Sequence, residues 1–235
     1  MTETSFIERF ENLEEKLILR FKNHSVLSSL RKLTNNQFEE ILIQRAFLSI
    51  LGFTPFYDLA SVGIENKEAK DLVKNLIREE YPIGKSSHRE DLMTDLQLIG
   101  IKKEKVLGRT PSQETIISLY NLYELVKFGS PHYDVKAITA LRMAGEVLVA
   151  EEYDLLIKEI KSRYKINPKE LVFYYPHFVH DRKSKGIGLN KTHSDRLLLI
   201  LKNNINSKNK LEAAIDSMEE ALKVKNNFYN QFIKE

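Results

Sequence analysis

Cysteine is absent from the 235 residues, which excludes disulfides, thiolate metal sites and cysteine nucleophiles and permits a reducing compartment. Glycine and proline are scarce, at 9 and 6, so little interrupts the chain. No charge of one sign dominates: 36 Lys and Arg face 33 Asp and Glu for a net +3. A protein that draws its affinity from phosphates carries a clustered cationic excess, so nucleic acid is not an expected partner. No window approaches a membrane-spanning run of uninterrupted apolar residues, and the start, MTETSFIERFENLEEK, is acidic where a signal peptide would be cationic and then apolar. The expectation is a cytoplasmic protein with no membrane partner. What is present is 42% hydrophobic and 29% charged residues, the balance of a folded, water-soluble chain.

Apolar residues recur at helical spacing, as in Phe6, Phe10, Leu13, Leu17 and Phe21. The spacing predicts a first helix from about Ser5 to Leu33, bent near His24, and a second capped by Thr34 with Gln37 completing a capping box. Pro55 interrupts that second run. Further helices are expected at Lys67 to Glu80, from Ser87 to Gly100, from Ser112 to before Gly129, at Asp134 to Tyr164, from Asn167 toward Lys183, from Thr192, and at Lys208 to Ile233. Pro176 implies a kink or a fresh start in the Asn167 helix, and a Gly-containing loop, Lys185 to Lys191, follows it. The sum is an all-α bundle of seven to nine helices, residues 1–235 forming one domain.

Acidic and imidazole side chains intrude on these apolar surfaces. Glu146 lies in AITALRMAGEVLVAEEY, where nearly every face is apolar, so its carboxylate would be buried and would need a cation or donors to stay ionised. A salt bridge to Arg142 is the alternative to a functional role. FYYPHFVHD supplies His177, His180 and Asp181, and residues spaced by three and four share a helix face. Nitrogen and carboxylate donors without sulfur suit iron, manganese or zinc; a hydrogen bond between His177 and Asp181 is the structural alternative. Glu80 and His88 flank a short loop, and His193 opens a helix as a ligand or a cap. Together Glu80, His88, Glu146, His177, Asp181 and His193 form the ligand inventory of a carboxylate-bridged two-iron site in a helical bundle.

Three segments carry a resemblance: LIREEYPIGKSSHREDLMTDL, ALRMAGEVLVAEEY and ELVFYYPHFVHD, joined by the ending ALKVKNNFYNQF. From about Leu33 to Tyr229 the chain resembles the heme-oxygenase-like diiron oxidases and oxygenases, relatives of the TenA and PqqC helical enzymes and of the chlamydial protein associating with death domains. The resemblance implies a heme-oxygenase-like fold and two Fe(II) ions with O2 as co-substrate. It implies Glu80 and His88 as ligands from one helix pair, Glu146 as a bridging or flanking carboxylate, and His177 with Asp181 on the last core helix. Glu80 is preferred over Glu79 because it immediately precedes Tyr81. The pattern His-x3-Asp usually continues to a further His, a position held here by Ser184. His193 is then the displaced ligand and His180 the substitute candidate.

The implied activity is oxidation or oxygenation of a small amino acid or carboxylic acid, an aromatic one included, in specialised biosynthesis, with a homodimer left open. Tyr120, Tyr123, Phe128, Phe173, Tyr174 and Tyr175 offer aromatic surface for a flat substrate, or core packing. Arg142 could meet a substrate carboxylate or Glu146. The alternatives are a cofactor-free or heme-linked member of the same superfold, with His24 the only axial candidate on the first helix, or a metal-free helical interaction protein.

Overall fold

The computed structural model describes residues 3–183 and 192–233, and the Lys185 to Lys191 loop with Ser184 lies outside them. Among the described residues the secondary structure is helical throughout, with no strand. The α-helices are α1 (Glu3–Lys22), α2 (Asn35–Phe47), α3 (Phe53–Gly63), α4 (Lys67–Glu79), α5 (His88–Leu98), α6 (Lys103–Leu107), α7 (Gln113–Glu124), α8 (Tyr133–Ala140), α9 (Leu148–Tyr164), α10 (Tyr174–Asp181), α11 (His193–Asn204) and α12 (Lys208–Asn230). A π-helical segment, Leu48–Gly52, joins α2 to α3, and another, Leu141–Val147, joins α8 to α9, so the twelve segments make ten continuous helices. The one beyond the expected seven to nine is α6, whose five residues are too few to show a period.

Local chemistry sets most boundaries. Thr34 and Ser87 build full capping boxes with Gln37 and Glu90. The expected bend near His24 is a break: α1 ends at Lys22 and a 3-10 turn, Leu27–Lys32, follows. Pro55 does not end its helix. Lacking an N–H, it leaves the Leu51 carbonyl without its helical donor, and the Tyr123 hydroxyl donates there at 2.7 Å. Pro176 falls in the first turn of α10, a fresh start held by Asp95, whose carboxylate accepts the backbone N–H groups of Val172, Phe173 and Tyr174 at 2.7 to 3.0 Å.

The core is built around the two π-interrupted helices, with α1, α7 and α12 packed on their sides and α10 and α11 crossing α9 and the Leu141–Val147 segment. The helix Asn35–Gly63 is long and apolar enough to cross a membrane by length and composition, but half of its most apolar window is buried inside the bundle. Its role here is that of a core helix, and its π-helical segment faces α7.

Candidate metal centre

The second π-helical segment places the sharpest residue of the sequence. Arg142 and Glu146 both sit on it, both buried. The wider π turn breaks the i,i+4 register that would stack them, and the alternative pairing of the two is not formed. Arg142 instead donates to both oxygens of Glu14 on α1, Nε at 2.8 Å and Nη2 at 3.0 Å, and to the Ser194 carbonyl. Fully enclosed and paired with Glu14, it does not line the cavity described below and so does not meet a substrate carboxylate there.

Glu146 turns toward α3, where the Tyr57 hydroxyl donates a short hydrogen bond to its Oε1. Gly145 permits that approach, since a Cβ there would come within 2.9 Å of Tyr57 ring carbons. Burial raises the Tyr57 hydroxyl well above its usual value and the Glu146 charge adds to this, so Tyr57 is a donor at all ordinary pH.

The other oxygen of Glu146 belongs to a triad with Asp181 and His193, whose ligand atoms all lie within 4.8 Å of one another. His193 Nδ1 stands 3.3 Å from Asp181 Oδ1 and 3.5 Å from Glu146 Oε2, while Nε2 stands 2.9 Å from Glu79 Oε2. Burial alone would lower the His193 pKa, but Asp181, Glu146 and Glu79 outweigh it and push it up to about 12. Burial and the neighbouring Glu146 push Asp181 the other way from an ordinary carboxylic acid, well above its usual range. A field that grips a proton this firmly would grip a metal cation in its place.

A second triad is Glu80, His88 and His177, again with ligand atoms within 4.8 Å. Glu80 caps the end of α4 and His88 opens α5, so the short loop between them returns His88 Nδ1 to 2.7 Å from Glu80 Oε1. Burial lowers the His88 pKa, yet the bond to Glu80 more than offsets it and leaves it raised. His177 is held differently. Its Nδ1 lies 2.7 Å from the Phe173 carbonyl, which can only accept, so Nδ1 carries the proton and Nε2 keeps a lone pair. Burial and the His88 charge push its pKa down to about 3, so the ring is neutral, and its accessible surface lines a cavity rather than bulk solvent. The His88 and His177 rings meet edge to face at 4.6 Å.

All six expected residues are thus gathered, as two triads rather than one list, and His177 partners Glu80 and His88 rather than Asp181, its neighbour on α10. His180 is exposed, with its ring 5.8 Å from that of His193 and outside both triads. Glu79, passed over in the sequence, bonds His193 while Glu80 bonds His88. Tyr57 was not singled out, and no local pattern marks it. Oxygen and nitrogen donors without sulfur suit iron, manganese or zinc, and three buried carboxylates on one side of a bundle call for a cation.

Glu80, His88, His177 and Asp181 line one cavity. Its apolar wall includes Leu48, Phe53, Phe56, Leu92, Val149 and Phe173. Of the six aromatic residues that offered either substrate surface or core packing, Phe173 lines the cavity and Tyr174 is buried in the core, while Tyr120 and Phe128 are largely exposed. His24 also lies elsewhere, bonded to Asn230 at 3.0 Å, so it offers no axial ligand at this cavity.

No protein-family model and no curated protein matches the sequence. Solved structures match the fold along nearly its whole length. A domain of unknown function with a heme oxygenase-like fold from Shewanella denitrificans OS217 superimposes with a TM-score of 0.71 at 15% identity, covering 99% of this chain and 92% of the other. A CADD-like protein of unknown function from Nostoc punctiforme PCC 73102 gives 0.71 at 15% identity, over 98% and 94%. A TenA homologue from P. horikoshii OT3 gives 0.64 at 14% identity, over 99% and 98%. The fold is therefore heme-oxygenase-like.

Proposed function

We propose that the protein is a non-heme diiron oxidase or oxygenase that uses O2 on a small carboxylic acid or amino acid, in the cytoplasm and in specialised biosynthesis. The observation that carries this reading is the pair of Glu/His and Glu/Asp/His triads set beside one apolar-walled cavity. Glu80, His88 and His177 would hold one iron, and Glu146, Asp181 and His193 the other. Ferrous ions, when bound by these residues, would supply electrons for the activation of O2.

The chain's own residues prepare the rest. Tyr57 fixes one oxygen of Glu146 and leaves the second to the triad. The Phe173 carbonyl orients His177 with its lone pair free. Glu79 holds His193 from the outer side, so the imidazole keeps its position as its proton leaves. Phe53, Phe56 and Leu92 exclude water from the cavity wall.

Anaerobic titration with Fe(II) should give two irons per chain, falling to about one in His177→Ala and to about one in His193→Ala, followed in wild type by O2 consumption on mixing with air. His180→Ala should keep both irons. A wild-type stoichiometry near zero, or loss of iron in His180→Ala but not in His193→Ala, would overturn this ligand set.

A further inference from the structure

The cavity has a second polar end, opposite in sign to the first. Arg45 on α2 and Lys225 on α12 are both buried, and both donate to the same oxygen of Glu152, Nε at 2.8 Å and Nζ at 2.9 Å. The Tyr229 hydroxyl donates to the other oxygen. Burial alone would raise the Glu152 pKa, but Arg45 and Lys225 hold it at about 2, so the carboxylate is ionised. Two cations therefore share one anion in the interior, and a surplus buried cation is costly unless something pairs with it.

The surplus faces the cavity. Arg45, Lys225, Ser49 and Tyr153 line it, and Glu152 stands behind them. Arg45 uses Nε on Glu152, Nη1 on Ser49 at 2.7 Å and Nη2 on Tyr153 at 3.0 Å. A guanidinium has five N–H groups and an ammonium three, so both side chains keep donors in reserve. Arg89, the other arginine on the cavity, is only half-buried and donates to the Ile50 carbonyl, the Thr54 hydroxyl and the Tyr81 hydroxyl. Tyr153 spans the interval between the two ends, its ring 5.1 Å from the Arg45 guanidinium carbon and 6.1 Å from the His177 ring.

We propose that Arg45 and Lys225, with Ser49 and Tyr153, form the carboxylate-binding end of this cavity. The ligand is a short monocarboxylic acid with an apolar or aromatic body, its carboxylate against Arg45 and Lys225 and its opposite end against His88 and His177. The direction of the oxidative chemistry rests on the proposed function: it falls on the end of the substrate remote from the carboxylate. The binding itself needs no metal, so it can be tested apart from that function.

The test is calorimetric titration of chelator-treated, metal-free protein at pH 7 with hexanoate, octanoate, phenylacetate and 3-phenylpropanoate, each beside its neutral amide. At least one acid should bind at least about 10-fold more tightly than its amide, the scale of a charge-assisted pair. Lys225→Met should erase that preference, and Arg89→Gln should keep it. Because a variant in a buried network can fail to fold, the wild-type complex is also examined by NMR. Intermolecular NOEs should connect the methylene next to the carboxylate to Tyr153 and Lys225, and the far end of the ligand to His177. Equal affinity for acid and amide, no binding by any acid, loss of preference in Arg89→Gln, or the reverse NOE order would each overturn the proposal. Carboxylate selectivity without iron uptake would instead remove the diiron reading and leave this site standing.

Discussion

Arg142 and Glu146 stand four residues apart on one π-helical turn and meet opposite surroundings. Arg142 is closed off: two hydrogen bonds to Glu14, one to a backbone carbonyl, and no exposure of either partner. Lys183 adds a second cation to Glu14 at 2.7 Å. Glu146 is as deeply buried but shares its space with a second carboxylate, Asp181, and both depend on one imidazole. Buried charge that is paired supports the fold, and breaking the pair leaves an uncompensated ion. Crowded, under-neutralised charge beside a cavity supports nothing by itself, and its surplus is what a cation would use.

The largest effect should follow from opening the closed side. Glu14→Ala strands Arg142 at zero exposure, and urea denaturation should show a loss of about 3–5 kcal/mol. Glu146→Gln keeps an acceptor for Tyr57 and removes one of two crowded charges. It should leave the stability of metal-free protein unchanged within about 1 kcal/mol while lowering the iron count. Equal destabilisation by the two substitutions would erase the distinction.

An intermediate effect should come from Gly145→Ala, whose Cβ meets the Tyr57 ring. Overpacking of this kind costs about 1–3 kcal/mol, and uptake of the iron assigned to Glu146 should weaken more than that of the other. An unchanged denaturation midpoint with normal iron uptake would show that Tyr57 does not need its close approach.

The pH dependence separates the cation-rich Glu152 network from the carboxylate-rich His193 network by sign. The folded pKa of Glu152, about 2, lies below its ordinary 4.5, so its stabilisation is complete above about pH 4.5 and is lost as pH falls toward 2. The folded pKa of His193, about 12, lies above its ordinary 6.5, so its stabilisation is complete below about pH 6.5 and drains away as pH rises toward 12. Lys225, lowered by burial to about 8, adds an opposite slope only above that pH. Metal-free protein should therefore lose stability from pH 6.5 to 8. His193→Gln should flatten that limb and Glu152→Gln the acid one; a wild-type profile level over both windows would contradict the assignment.

The smallest effect belongs to His180→Ala. The side chain is exposed and outside both triads, so stability should change by no more than about 0.5 kcal/mol. A larger loss by thermal denaturation would mean that its contact with His193 supports that ring.

Helix content, most boundaries and the six candidate ligands were legible in sequence because they rest on local rules. Apolar residues at spacings of three and four, a Thr34 or Ser87 cap, and acids or histidines set in apolar stretches need only a few neighbouring residues to be read. Lys225 was equally visible among Ala221, Leu222, Val224 and Phe228, yet a lone lysine acquires meaning only beside Arg45 and Glu152, more than 70 residues away in the chain. The partition into two triads, the use of both Glu79 and Glu80, the diversion of Arg142 to Glu14 and the gathering of His193 with Glu146 and Asp181 were decided by tertiary structure. Each depends on a π turn or a helix crossing that rotates a side chain toward one neighbour and away from another. A helical period fixes which residues share a face, but not which face another helix will cover.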